Sequence, residues 1–201
     1  MSQVVHSYYD SWQKRGFALG VLVVMAPVLI FMLLIISLLV FLTAGRPIFY
    51  LSKRVGRFGK TFVFYKFRTM KRGAAGEQAL LSKFNQAPKP MFKIFADPRF
   101  VGVGWWLSRT GLDELPQLFN IIKGEMSLVG PRPLPLVEAK ALPKSWEFRK
   151  KVSPGIFSQW SVAGNRHQSL ARWHHLEQLT VARGGWFHDF KIISLTLVKS
   201  W

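Results

Sequence analysis

The longest apolar pattern in the chain is "GFALGVLVVMAPVLIFMLLIISLLVFLTAG", from Gly16 to Gly45, which holds no charged side chain. A run of this length predicts a helix able to cross a bilayer. It is too long for a secretory signal and lacks a small-residue cleavage site followed by a new domain. Buried core helices rarely reach this length. Pro27 lies well inside the run, where its ring and missing N–H kink a helix. Lys14 and Arg15 precede the run, and Arg46, Lys53, Arg54, Arg57 and Lys60 follow it. Basic flanks favour the cytoplasmic side of a membrane. A helix bent at Pro27 that enters and leaves by one face satisfies both flanks; a straight span stays open beside it.

Beyond Gly45 the pattern shortens and alternates. "TFVFYKFRTM" (61–70) predicts a strand after the turn signal "GRFG" (56–59). "GAAGEQALLSKFNQAPKPMFKIF" predicts a short helix between glycines, then a proline-broken stretch mixing Lys with Phe and Met. That stretch reads either as a loop or as a surface segment pressing apolar side chains into lipid while its lysines meet headgroups. "WWLSRTGLDELPQLFNIIKG" (105–124) predicts helix, break and helix, with Gly111 at the break and Gly124 at the stop. "DFKIISLTLVKSW" predicts an apolar helix with Lys191 and Lys199 near its ends, packed on the membrane face. The fold class is therefore α/β mixed and mainly helical. Residues 1–45 form an N-terminal segment with a re-entrant membrane helix. Residues 46–201 are expected to form a compact cytoplasmic, membrane-associated domain with surface amphipathic helices.

Composition sharpens this picture. The chain has 201 residues, a formal net charge of +18 and eight tryptophans, a residue that favours membrane–water interfaces. Such a charge calls for an anionic partner: nucleic acid, a phosphorylated substrate or acidic lipid. The charge-free run and the lack of a nucleic-acid motif argue against nucleic acid. Cysteine is absent, which excludes a disulfide scaffold and thiolate metal sites. His174 and His175 are adjacent and diverge, so they read as ordinary polar positions.

Acids are scarce, ten against 28 Lys and Arg, yet Asp113 and Glu114 stand side by side. Pro116 is tolerated only in the first turn of a helix, so the helix starts near Asp113. Exposed N–H groups there stabilise negative charge and predict an ionised Asp113. Simple capping explains such a pair on its own. Neighbours on a helix do not face one atom together; they can divide labour, one towards an electrophile and one towards a cation. Mg²⁺ takes one or two carboxylates plus substrate phosphates. "VGPRP" (129–133) holds Arg132 between Pro131 and Pro133 and suits it to bidentate phosphate contacts. "YKFRTM" offers Lys66 and Arg68 on one strand face, and "DPRF" offers Asp97 and Arg99.

"KFRTM", "DPRF", "LSRTGLDELPQLFNIIKGEMSLVGPRP" and "SPGI", in this order, resemble the bacterial sugar transferase family, the monotopic phosphoglycosyl transferases. The match covers most of residues 46 to 195, and its long central block is highly specific. The resemblance implies transfer of a phosphosugar from a UDP-sugar to polyprenol (undecaprenyl) phosphate with release of UMP, the first membrane step of glycoconjugate or polysaccharide assembly. It implies Asp113 as the nucleophile on the sugar-linked phosphorus, Glu114 as a ligand of Mg²⁺, and Arg132 as a holder of phosphates. Lys66, Arg68 and Asp97 fall at motif positions; Lys66, Arg68 and Arg99 are the further expected phosphate contacts, with Asp97, Pro131 and Pro133 in support. The implied place is the cytoplasmic face of a bacterial inner membrane, on an anionic lipid bilayer.

The chain departs from the family pattern in places. Ala26 stands where Ser usually precedes the Pro of the membrane break, so the break rests on Pro27. Gly111 replaces the Ser before Leu-Asp-Glu. Gly124-Glu125-Met126-Ser127 carries Glu for Asp. Gly164-Asn165 replaces Gly-Arg, with Arg166 one step later, and Leu176-Glu177 replaces Leu-Asp without the paired tyrosines. The last two fall where sugar or nucleotide recognition is expected. A non-enzymatic membrane scaffold with a degenerate site is the rival reading, and the intact Asp113, Glu114 and Arg132 argue against it.

Overall fold

The computed structural model describes Tyr8 and residues 12–163 and 169–199. The substituted positions Gly164, Asn165 and Arg166 lie outside the described residues. Helix α1 (Trp12–Ala44) absorbs the charge-free run, continues through Pro27, and ends where Gly45 turns at φ 72°. Among the described residues it is the one helix long and apolar enough to cross a membrane. A few side chains near each end are buried, and most of the helix is exposed. Ala18 and Leu22 join a core with Phe62, Phe64, Ile121 and Met126, while Ile36 and Val40 join another with Phe67 and Leu107. Between them Val23, Val24, Val28, Phe31 and Leu34 are exposed. At the start of α1, Lys14 Nζ lies 3.1 Å from Asp189 Oδ2, a buried pair that ties the helix to the far end of the sequence.

The rest of the chain is mixed α/β, as its patterning predicts. Strands β1 (Phe49–Val55) and β2 (Thr61–Phe67) pair antiparallel, with Tyr50 opposite Lys66 and Arg54 opposite Phe62. A short strand β4 (Leu134–Pro135) adds to β1, giving the order β2-β1-β4. Strands β3 (Ser127–Val129) and β5 (Gly155–Phe157) form a separate parallel pair. Here the "VGPRP" and "SPGI" motifs meet back to back. A Cβ on Gly155 would sit 2.1 Å from Gly130 N, and one on Gly130 would sit 2.4 Å from Ser153 O, so only glycines permit the approach.

Helix α2 (Gly104–Thr110) stops at Gly111, which takes φ 74°. A 3₁₀ turn (Leu112–Gln117) leads into α3 (Leu118–Ile122), and Gly124 turns the chain at φ 78°. The helix–break–helix expectation is met. Strand β2 ends at Phe67, short of the expected 61–70, because the chain beyond it pairs with another segment: Val101 N–H donates to Thr69 O at 3.1 Å and Met70 bridges Phe100. The helix expected after Gly73 is instead a series of turns closing in a 3₁₀ segment, Ser82–Phe84. The stretch after it follows the loop reading: Asn85 binds Ala87 and Met91 carbonyls and accepts from Ala87 and Lys93 N–H. That staple turns Met91 inward against Trp146, Trp160 and Trp173 rather than towards lipid. Helices α4 (Leu136–Ala141), α5 (Gln159–Val162), α6 (Leu170–Ala182) and α7 (Trp186–Lys199), with a 3₁₀ segment Lys144–Lys151, complete the fold.

Candidate active site

The acid pair is seated by the free edge of β2. That edge has unpaired backbone groups which need partners. Asn120 supplies them: its Nδ2 donates to Val63 O at 2.6 Å, and its Oδ1 accepts from Tyr65 N–H at 3.3 Å. The 3₁₀ turn and α3 are thereby stitched along the strand, and Asp113 is brought to Lys66, with Nζ to Oδ2 at 2.5 Å. Asp113 is 1% exposed. Its burial raises its pKa above the ordinary carboxylate range; Lys66 opposes the rise and Glu114 adds to it. The sequence reading expects the helix start to favour the ionised form; burial shifts Asp113 the other way, and Lys66 offsets that only in part.

Glu114 behaves oppositely. Burial pushes its pKa up, but Arg132, Lys66, Gln117 and Arg54 outweigh this and hold it below the usual range. Of the two neighbours, Asp113 keeps a proton more readily. Gln117 is also 1% exposed, and neither atom of its amide makes a hydrogen bond of normal geometry, although it lies close enough to Glu114 to help hold that carboxylate ionised. Arg132, between the buried Pro131 and Pro133, is half-buried, with its guanidinium 5.3 Å from the Trp160 ring.

Two expected phosphate ligands go elsewhere. Arg68 caps the C-terminal end of α1, with Nε to Pro47 O at 2.6 Å and a terminal nitrogen donating to Gly45 O at 2.7 Å and to Ala44 O. Arg99 grips Asp97 through two bonds, at 2.8 and 2.6 Å, and Ala74 O through a third at 2.9 Å. Both arginines and Asp97 are buried, and Arg99 holds the Asp97 carboxyl below its usual range. Both guanidinium groups thus bond backbone carbonyls or Asp97, and neither is part of the cluster built around Asp113.

Sequence reasoning missed Arg54 and Lys93. Alternation along "FYLSKRV" puts Tyr50, Ser52 and Arg54 on the sheet face that carries Lys66, a signal the sequence contains. Arg54 lies over the Phe64 ring at 4.8 Å and donates to Pro133 O at 3.4 Å. Burial first, then the neighbouring Arg132, push its pKa down to about 10. Lys93 contributes to the positive field at Asp113. Glu138 lies in the field of Arg132, Arg54 and Arg149, its pKa raised by burial against their pull. His174 behaves as ordinary, its ring packed on Trp146 and Phe148.

The arrangement is an acidic pair inside a ring of cations, at the foot of an apolar helix. The profile of the bacterial sugar transferase family matches residues 9–201, and the chain belongs to that family. It is similar to the galactosyl transferase CpsE of Streptococcus agalactiae serotype III (strain NEM316), 37% identical over 156 residues, covering 76% of this chain and 34% of CpsE. It is also similar to the exopolysaccharide production protein ExoY of Sinorhizobium fredii, 37% identical over 164 residues, covering 79% of this chain and 72% of ExoY. An undecaprenyl-phosphate galactose phosphotransferase of Salmonella typhimurium is 41% identical over 128 residues, covering 60% of this chain and 26% of that protein. The chain thus spans about a third or less of two of these relatives.

Proposed function

We propose that this chain is a phosphoglycosyl transferase that moves a phosphosugar from a UDP-sugar to undecaprenyl phosphate and releases UMP. The observation that carries the reading is the buried Asp113 paired with Lys66, beside an ionised Glu114 and Arg132. An Asp113 carboxylate oxygen attacks the sugar-linked phosphorus. The bond from that phosphorus to the bridging oxygen breaks, and UMP leaves with the electron pair. An oxygen of the lipid phosphate then attacks the same phosphorus, expels the Asp113 carboxylate and forms the lipid diphosphosugar. The acceptor is already ionised, so it needs little help from a base. Lys66, Arg132 and Arg54 offset the phosphate charge that would otherwise repel Asp113.

The residues fit a hard cation. Glu114 is held ionised, and the buried Gln117 amide beside it has no settled hydrogen bond. Among the described residues no cluster of three or more His, Cys, Asp or Glu could hold a metal alone. That suits Mg²⁺, which takes one or two carboxylates and draws further ligands from substrate phosphates. When bound, it supplies charge neutralisation of the diphosphate. Purified protein given a UDP-sugar, undecaprenyl phosphate and Mg²⁺ is expected to release UMP, to stop with EDTA and to recover with Mg²⁺. Glu114→Gln should lower both the rate and the Mg²⁺ dependence. No UMP from any UDP-sugar tested would overturn the transferase reading, and full activity in EDTA would remove the metal.

The same reading puts α1 in the membrane as a re-entrant helix, entering and leaving by one face, with the catalytic domain on the cytoplasmic side. Its support is that side chains from both halves of α1 pack into cores of the domain while Val23, Val24, Phe31, Leu34 and Leu42 stay exposed. Exposed Trp105, Trp106, Phe119, Ile122, Trp186 and Phe187 suit a domain lying on lipid. The chain has no cysteine, so single cysteines report cleanly. Gln13→Cys and Lys60→Cys should both react with a membrane-impermeant maleimide only in inverted vesicles. Labelling of Gln13→Cys from the periplasm alone would sink the re-entrant model.

A further inference from the structure

Glu177 is fully buried on α6, far in sequence from the acid pair. Its Oε1 accepts from the backbone N–H of Arg132 at 3.3 Å and from Trp173 Nε1–H at 3.1 Å. Its Oε2 accepts from Arg149 Nε at 3.0 Å. Arg149 in turn donates to the backbone carbonyl of Arg132, with its guanidinium 5.6 Å from the Trp173 ring and 5.9 Å from the Trp146 ring. The contacts close a cycle: Glu177 holds the N–H of Arg132, Arg149 holds its C=O, and the two side chains hold each other.

A buried ion pair that only fastened α6 to the 3₁₀ segment would not need to end on the backbone of one loop residue. Both polar groups of Arg132 are taken, so the direction in which its side chain leaves the loop is set from behind. Arg132 is also the strongest positive influence on Glu114. We infer that Glu177, acting with Arg149, is a positioning residue that aims Arg132 at the acid pair and the substrate phosphates. The inference rests on the transferase reading for what Arg132 does, but the clasp itself does not. It also gives the Glu at this position a place behind the phosphate loop rather than against the sugar.

The test is a double-mutant cycle in lipid nanodiscs with two readouts, UMP release and hydrogen exchange of the peptide covering residues 130–134. Glu177→Gln keeps the volume and removes the charge that Arg149 needs. It is expected to speed exchange in that peptide and to lower kcat/KM for the UDP-sugar by about 10- to 100-fold, the size of effect that a small misplacement of a charge produces. In an Arg132→Ala background the same change is expected to lower the residual rate no further. An equal loss in both backgrounds, or unchanged exchange at 130–134, would overturn the inference. If Glu177→Gln does not fold, Glu177→Asp, which keeps the charge and shortens the reach, goes through the same cycle under the same criteria. Failure of the wild type to release UMP would strike the transferase reading alone, leaving the exchange data to judge the clasp.

Discussion

Asp113→Asn is expected to reduce UMP release by about 10⁴-fold or more, the scale of loss when a nucleophile is removed from a site whose parts act as a unit. Wild-type protein mixed with UDP-sugar and no acceptor should gain the mass of a phosphosugar, and Asp113→Asn should not. The loss should not come from unfolding. Asp113 is buried and its pKa is raised, chiefly by burial. The folded state therefore binds its proton more tightly than the unfolded chain, and its share of stability falls as pH rises through the window between the two pKa values. Burial disfavours the charged form while the Lys66 pair favours it, so a neutral amide of the same shape should leave Tm near that of the wild type. UMP release only in the presence of lipid, with no adduct under rapid quench, would favour direct transfer.

Lys66→Met should move the acid limb of the activity profile to higher pH. Lys66 is the largest influence opposing the upward push of burial on Asp113. Without that ammonium group the carboxyl stays protonated to higher pH, and only the ionised form can attack. Each unit of displacement leaves about a tenth of the enzyme competent at a fixed pH below the new midpoint. Activity at neutral pH should thus fall steeply and return in part on the alkaline side. Lys66→Arg, which keeps the charge, should leave the limb nearer to its original place. A limb that does not move in Lys66→Met would mean that Lys66 serves the substrate and not the nucleophile.

Three features were legible in the sequence because each rests on local chemistry. The charge-free run from Gly16 to Gly45 is an apolar helix in any fold. Gly111 and Gly124 stop their helices because the left-handed turns found there exclude most other residues. Pro116 sets the acid pair at the start of a turn because it has no N–H to give.

What each charged side chain does was decided by tertiary structure. Lys66, Arg68 and Arg99 looked alike as cations near motifs, yet one meets Asp113, one caps α1 and one is locked to Asp97. A guanidinium goes where unpaired carbonyls or carboxylates await it, and for Arg68 those lie more than twenty residues back along the chain. Arg54 and Asn120 carried no motif signal, and Glu177 read as a departure near sugar or nucleotide recognition, because their partners come from other elements: Pro133, the edge of β2 and the Arg132 loop. The protonation of Asp113 followed the same rule. The sequence determined an acid at the start of a turn, but the depth of its burial and the lysine that answers it exist only once β2, the 3₁₀ turn and α3 are packed together.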